Sequence, residues 1–186
     1  MKSGDYSICV YCGSRNGSDP AIADGADALG RAIAEHGCRL VYGAGDVWLM
    51  GRVACAAQAA GGVTFGVIPQ HLVAREVAKH DLNSLVVTET MHERKKIMVM
   101  NSDAIAVLPG GAGTLDEFFE MLTWRQLGLH AKPIVLVNIG GFWDPLVTLI
   151  DHIETTRFAD GTLTQRVQVV DNVPAAMPAH LNNWSA

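Results

Sequence analysis

The chain has 186 residues, 49% of them hydrophobic and 18% charged, with a formal net charge of -5. That length suits one domain able to bury roughly 70% of its unfolded surface without disulfides or structural metal. The acidic balance disfavours a protein that tracks nucleic-acid phosphates. The N-terminal segment lacks an apolar signal region and no run approaches about 18 apolar residues, so a cytoplasmic protein without membrane contact is expected.

In chain order, residues 7–11 read as a first strand, 21–36 as a helix with small apolar residues at helical spacing, and 39–42 as a second strand. Residues 50–60 are again helical, 63–68 a third strand and 84–87 a fourth, while 69–81 has no clear period and reads as a loop. Residues 91–100 form a helix capped by Asn101, and 104–108 a strand. A helix follows over 115–127, closed by Gly128 with Pro133 just beyond, then a strand over 133–138, a helix over 145–154 and a last short strand over 167–170. Regular βα alternation with near-continuous apolar strands predicts an α/β, Rossmann-like, doubly wound parallel sheet with helices on both faces, in one domain over 1–186. Ligands of such sheets bind beyond the carboxyl ends of the strands. Three loops meet that description: 12–18, 42–46 and 108–114.

Four cysteines are present, and Cys9 and Cys12 form a CxxC at the end of the first strand. Residues three apart on a strand point to opposite faces, so this pair cannot offer both sulfurs to one metal, and burial in the core is expected.

Pro109-Gly110-Gly111-Ala112-Gly113-Thr114-Leu115-Asp116-Glu117 follows the apolar run 104–108 and opens a helix. Glycines there let backbone N–H groups reach a ligand, and the helix adds its unpaired amides and positive dipole end, which is an anion site. No lysine follows as in a GxxxxGK[ST] loop, and the spacing is not GxGxxG, so a phosphate held by backbone is expected. Glu117 has two readings: a carboxylate placed for chemistry, or the far end of a capping box begun by Thr114. In Met91-His92-Glu93-Arg94-Lys95-Lys96, Glu93, Lys95 and Lys96 taken singly read as a solvated helix start. Arg94, at a strand end on the same edge, suits a phosphosugar or a catalytic carboxylate. His92 and His130 read as surface hydrogen-bonding residues and receive no catalytic role.

These motifs, with Trp124-Arg125-Gln126-Leu127-Gly128-Leu129-His130-Ala131-Lys132-Pro133, Cys12-Gly13-Ser14 and Leu49-Met50-Gly51, resemble the LOG family of cytokinin riboside 5'-monophosphate phosphoribohydrolases over nearly the whole chain. The resemblance implies hydrolysis of the N-glycosidic bond of N6-modified adenosine monophosphate or AMP, with Arg94 and Glu117 catalytic. It implies a substrate site made by Ser14, Gly45, Met91, Lys95, Gly110, Gly111, Ala112, Gly113 and Thr114. It further implies a homodimer to which Arg125 contributes, and no metal or organic cofactor. Members often carry a "lysine decarboxylase" label, for which the five lysines offer no Schiff-base constellation. A nucleotide-binding protein without turnover, with Glu117 as a helix cap, is the competing reading, and a carrier of a phosphorylated cofactor a third. The chain departs from the family at Trp48, where a glycine usually precedes Leu-Met-Gly. A left-handed backbone there would cost a non-glycine residue about 1–2 kcal/mol.

Overall fold

A computed structural model describes residues 6–74 and 77–181. Seven strands form one sheet: β1 (Ser7–Tyr11), β2 (Arg39–Tyr42), β3 (Val63–Pro69), β4 (Ser84–Thr88), β5 (Ala104–Val107), β6 (Ile134–Val137) and β7 (Gln168–Val170). Every pairing is parallel and the order is β4-β3-β2-β1-β5-β6-β7. The helices are α1 (Pro20–Glu35), α2 (Trp48–Ala59), α3 (Met91–Met100), α4 (Ala112–Gln126), α5 (Asp144–Thr155) and α6 (Val173–Leu181).

The sheet is doubly wound, as the alternation predicts. Apolar residues of α1, α2 and α6 pack on one face with Ile8, Val10 and Leu40, while those of α3, α4 and α5 pack on the other with Cys9, Tyr11 and Val41. Cys9 and Cys12 fall in opposite cores, which is the strand alternation expected of them; Cys38 is buried too, and Cys55 is exposed. No helix of the described residues is long and apolar enough to cross a membrane.

Local chemistry sets the helix ends. The Asp19 carboxylate accepts from the Ala21 N–H at 2.9 Å, with Pro20 in the first turn of α1. Gly128, at φ 72°, ends α4, as its glycine signature predicts. The competing reading of Glu117 as part of a capping box fails. The capping box lies on α3, where the Thr90 side chain accepts from the Glu93 N–H and the Glu93 carboxylate accepts from the Thr90 N–H. By contrast α4 begins at Ala112 after Gly111, with no side-chain cap, so Glu117 lies too deep in the helix for capping. The segment after β3 is a loop, as expected, described except at 75 and 76, and it is anchored: residues 70–72 make a 3-10 turn, Ala78 bridges Gly45, and Lys79 pairs with Asp46 at 3.0 Å and Asp81 at 2.9 Å. That segment is thereby fastened to the loop after β2.

The order reverses between β1 and β5, where the chain runs outward to opposite sides. Their register aligns Tyr11 with Val107, so loops 12–17 and 108–111 emerge side by side. This is the crevice in which a parallel sheet of this winding holds ligands.

Candidate active site

Over the β1 end lies a cavity of about 200 Å³ whose wall includes Tyr11, Ser14, Gly43, Met91, Arg94, Gly111, Ala112, Gly113, Thr114 and Glu117. Eight of the eleven residues expected at the site thus share one wall: Ser14, Met91, Arg94, Gly111, Ala112, Gly113, Thr114 and Glu117.

Arg94 is 4% exposed and Glu117 9%, so both are withdrawn from bulk water in a setting that strengthens their electrostatic action. The guanidinium is fixed by the backbone: Nε donates to the Val67 carbonyl at 3.2 Å and Nη2 to the Gly43 carbonyl at 2.9 Å. Its approach requires glycine at position 43, where a Cβ would stand 2.0 Å from Nη2. β3 and the end of β2 therefore hold the cation that α3 delivers, a planar fork with fixed orientation.

The helix α4 delivers the carboxylate and the amides. Its first intrahelical bond is Leu115 N–H to the Gly111 carbonyl at 3.0 Å, so the N–H groups of Ala112, Gly113 and Thr114 have no acceptor within the helix. They point toward the crevice with the positive end of the dipole. Gly110 is required beneath them, because a Cβ there would meet Thr114 Oγ1 at 2.1 Å and Gly13 N at 2.8 Å. Nothing stands within 4 Å of a Cβ placed on Gly111 or Gly113. Those two leave the amides accessible.

Three expected residues lie off this wall. Gly110 lines a neighbouring cavity, Gly45 sits against Met50 beside its bridge to Ala78, and Lys95 is turned to α4. Lys95 is 3% exposed and pairs with Asp116 at 2.9 Å and with Glu120. Arg125 Nη1 donates to the Arg166 carbonyl at 2.7 Å within its own chain. His92 is exposed, and His130 bonds the Met121 carbonyl at 2.9 Å.

Sequence reasoning missed the apolar part of the wall, formed by Val10, Met50, Leu72 and Met98. Leu72 comes from the aperiodic segment, which carries no signal of its destination. Met50 was visible only as part of Leu49-Met50-Gly51. Among the described residues no group of three or more His, Cys, Asp and Glu is arranged to hold a metal ion.

Known proteins resemble this chain in sequence and in fold. The profile of the family described as "Possible lysine decarboxylase" matches residues 50–179. A Mycobacterium tuberculosis protein named cytokinin riboside 5'-monophosphate phosphoribohydrolase is 47% identical over 177 residues, covering 95% of this chain and 94% of its own. A protein of that name from Arabidopsis thaliana is 39% identical over 173 residues, covering 93% of this chain and 81% of its own. Among solved structures, the molybdenum cofactor carrier protein of Chlamydomonas reinhardtii superposes with a TM-score of 0.75 over 100% of both chains at 23% identity, a likeness of fold alone.

Proposed function

The chain belongs to the LOG family of cytokinin riboside 5'-monophosphate phosphoribohydrolases, and from that membership we propose that it hydrolyses the N-glycosidic bond of N6-modified adenosine 5'-monophosphate or AMP. The products are the free base and ribose 5-phosphate. One observation carries the reading: a buried arginine and a buried glutamate share a cavity with the accessible amides of a helix N-terminus.

Each part has a place in the reaction. The Ala112, Gly113 and Thr114 amides, with the Thr114 hydroxyl, hold the 5'-phosphate, and that remote binding energy positions the sugar. As the C1'–N9 bond lengthens, the ribose takes on oxocarbenium character. The Glu117 carboxylate stabilises that charge and orients the water that attacks C1', accepting its proton, while the electron pair of the broken bond leaves on the base, which takes up a proton from solvent to become the free purine. Arg94, fixed by two carbonyls, aligns Glu117 and the phosphosugar. Ser14 and Met91 complete the substrate wall.

We propose further that the protein works in the cytoplasm as a homodimer. Four cysteines without a disulfide suit a reducing compartment. Met100, Leu127 and Leu129 are exposed at the ends of α3 and α4, and Met100 and Leu129 line one shallow apolar hollow with Trp124, a surface suited to a second copy. Sedimentation should give twice the chain mass.

The test is Glu117→Gln, which keeps shape and removes charge. Chromatography of AMP reactions should show base release falling by about 10²-fold or more, with the melting temperature nearly unchanged because the substitution keeps the side chain's shape and α4 starts at Gly111, outside the reach of a Thr114–Glu117 capping box. Adenosine, lacking the phosphate, should react far more slowly than AMP. Full activity of Glu117→Gln, or equal rates on nucleotide and nucleoside, would overturn the assignment.

A further inference from the structure

The Gly43 carbonyl that accepts from Arg94 Nη2 stands one residue before a stretch of strained backbone. Ala44 has φ 59°, and Val77, on the segment after β3, has φ 49°. Alanine, and above all β-branched valine, resists that left-handed region, and such conformations persist only where the surroundings over-determine them. Here the surroundings are a short antiparallel ribbon. The Asp46 N–H donates to the Val77 carbonyl at 2.9 Å and the Lys79 N–H to the Ala44 carbonyl at 2.9 Å, on either side of the Gly45–Ala78 bridge.

A side-chain tie crosses the ribbon. Lys79 Nζ bonds Asp46 Oδ1 at 3.0 Å, and the same ammonium holds Asp81 Oδ1 at 2.9 Å. Two strands alone are marginal in water, so this ion pair is what closes the ribbon. Lys79 is 6% exposed, which shields the pair from the screening that makes surface pairs weak. Lys79 lines neither the Arg94–Glu117 cavity nor its neighbour, so any influence on the reaction must pass through other groups. The path is short. The ribbon begins one residue after Gly43, and Gly43 lies so close to the guanidinium that a Cβ there would stand 2.0 Å from Nη2. A displacement of that backbone is therefore handed directly to the cation.

We propose that Lys79 is a positioning residue for the hydrolysis: by closing the ribbon between residues 44–46 and 77–79 it fixes the Gly43 carbonyl and, through that carbonyl, the plane of the Arg94 guanidinium. The inference rests on the hydrolase reading and adds a residue outside the cavity on which turnover depends.

The experiment measures kcat and KM for AMP in wild type, Lys79→Met, Arg94→Lys and the double variant. Methionine fills the space of the lysine stem without its charge. It strands no buried carboxylate, since the side chains of Asp46 and Asp81 are 39% and 70% exposed, so the fold should survive. Lys79→Met should lower kcat by about 10-fold with KM nearly unchanged, because a misplaced guanidinium costs turnover while the phosphate amides stay where they are. In the Arg94→Lys background the same substitution should lower kcat by less than about 2-fold, since its effect passes through a fork already removed. Unchanged kcat in Lys79→Met, or equal losses in both backgrounds, would overturn the inference and leave the hydrolase reading intact.

If wild type released no base, the hydrolase reading would fall. In that case, or if Arg94→Lys left no turnover to compare, a measurement without turnover decides the tie between Lys79 and Arg94. Deuterium exchange of the Arg94 Nε–H, followed by 15N NMR and assigned by the loss of its signal in Arg94→Lys, should be at least about 10-fold faster in Lys79→Met than in wild type. An unchanged exchange rate would refute the tie.

Discussion

Trp48, the first residue of α2, tests how the backbone at the start of that helix is paid for. It has φ 57°, the left-handed region, and its side chain is 55% exposed, so neither backbone nor burial favours the largest side chain there. A non-glycine residue in that region costs about 1–2 kcal/mol. Glycine escapes the cost but adds unfolded-state entropy worth about 0.4–1 kcal/mol. Comparing Trp48→Gly with Trp48→Ala removes the indole in both and leaves only the backbone difference, a net gain for glycine of roughly 1 kcal/mol. In a chain of this size that is about 2–4 °C in Tm, measured by circular dichroism during thermal denaturation. The indole lines neither cavity, although Leu49 and Met50 beside it line one each, so kcat/KM on AMP should be unchanged in Trp48→Gly. An alanine variant as stable as the glycine variant would refute the strain argument, and a rise in kcat/KM would show that the indole obstructs the site.

Arg94→Lys should reduce kcat on AMP while the protein stays folded, because an ammonium cannot bond both the Val67 and Gly43 carbonyls in the guanidinium's plane; wild-type turnover would remove Arg94 from the mechanism. His130 should make the fold acid-sensitive. Burial, foremost, lowers its pKa below 6.5, and the neutral ring is already matched, with Nε2–H donating to Met121 and Nδ1 accepting the Lys132 N–H at 3.2 Å. Its contribution to stability is present above pH about 6.5 and is lost as pH falls through the lowered folded value. Tm of His130→Gln should therefore depend less on pH between about 7 and 5 than wild type, and an identical slope would refute the assignment. Incubation with pyridoxal phosphate and lysine should yield no cadaverine by chromatography; detectable product would overturn the reaction class.

The strand and helix sequence was legible because the central strands are compact apolar runs and α1 and α5 carry apolar residues at 3.6-residue spacing. α6 escaped that reading, since Pro174 and Pro178 look like breakers and the helix forms by packing Val173, Ala176 and Met177 into the core. The start of α4 was displaced by three residues because Thr114 and Glu117 imitate a capping box, whereas Gly111 serves as the cap through its extended backbone. Arg94 and Glu117 could be named from motifs. What holds them could not: the need for glycine at 43 arises from a guanidinium 51 residues later in the chain. Leu72 and Phe142 reach their cavities through loop paths that no local period encodes.

The family description as a lysine decarboxylase asks the site for a lysine that can shed its proton and form a Schiff base, which requires a lowered pKa. Both buried lysines are shifted the other way. Burial pulls Lys79 down, but its bonds to Asp81 and Asp46 outweigh that and leave its pKa raised. Lys95 follows the same logic, with Glu120 and Asp116 overcoming the cost of burial. Lys132 Nζ donates to the Ser102 carbonyl, Lys96 is exposed, and Lys2 lies outside the described residues. None of Lys79, Lys95, Lys96 and Lys132 lines either of the two crevice cavities. The two buried lysines are thus spent on fastening elements together, Lys95 joining α3 to α4 and Lys79 the loops that follow β2 and β3. The crevice itself is furnished with a carboxylate, a guanidinium and backbone amides. Those groups match a reaction that develops positive charge on a sugar and leaves a phosphate in place, and they offer no amine for a carbonyl cofactor.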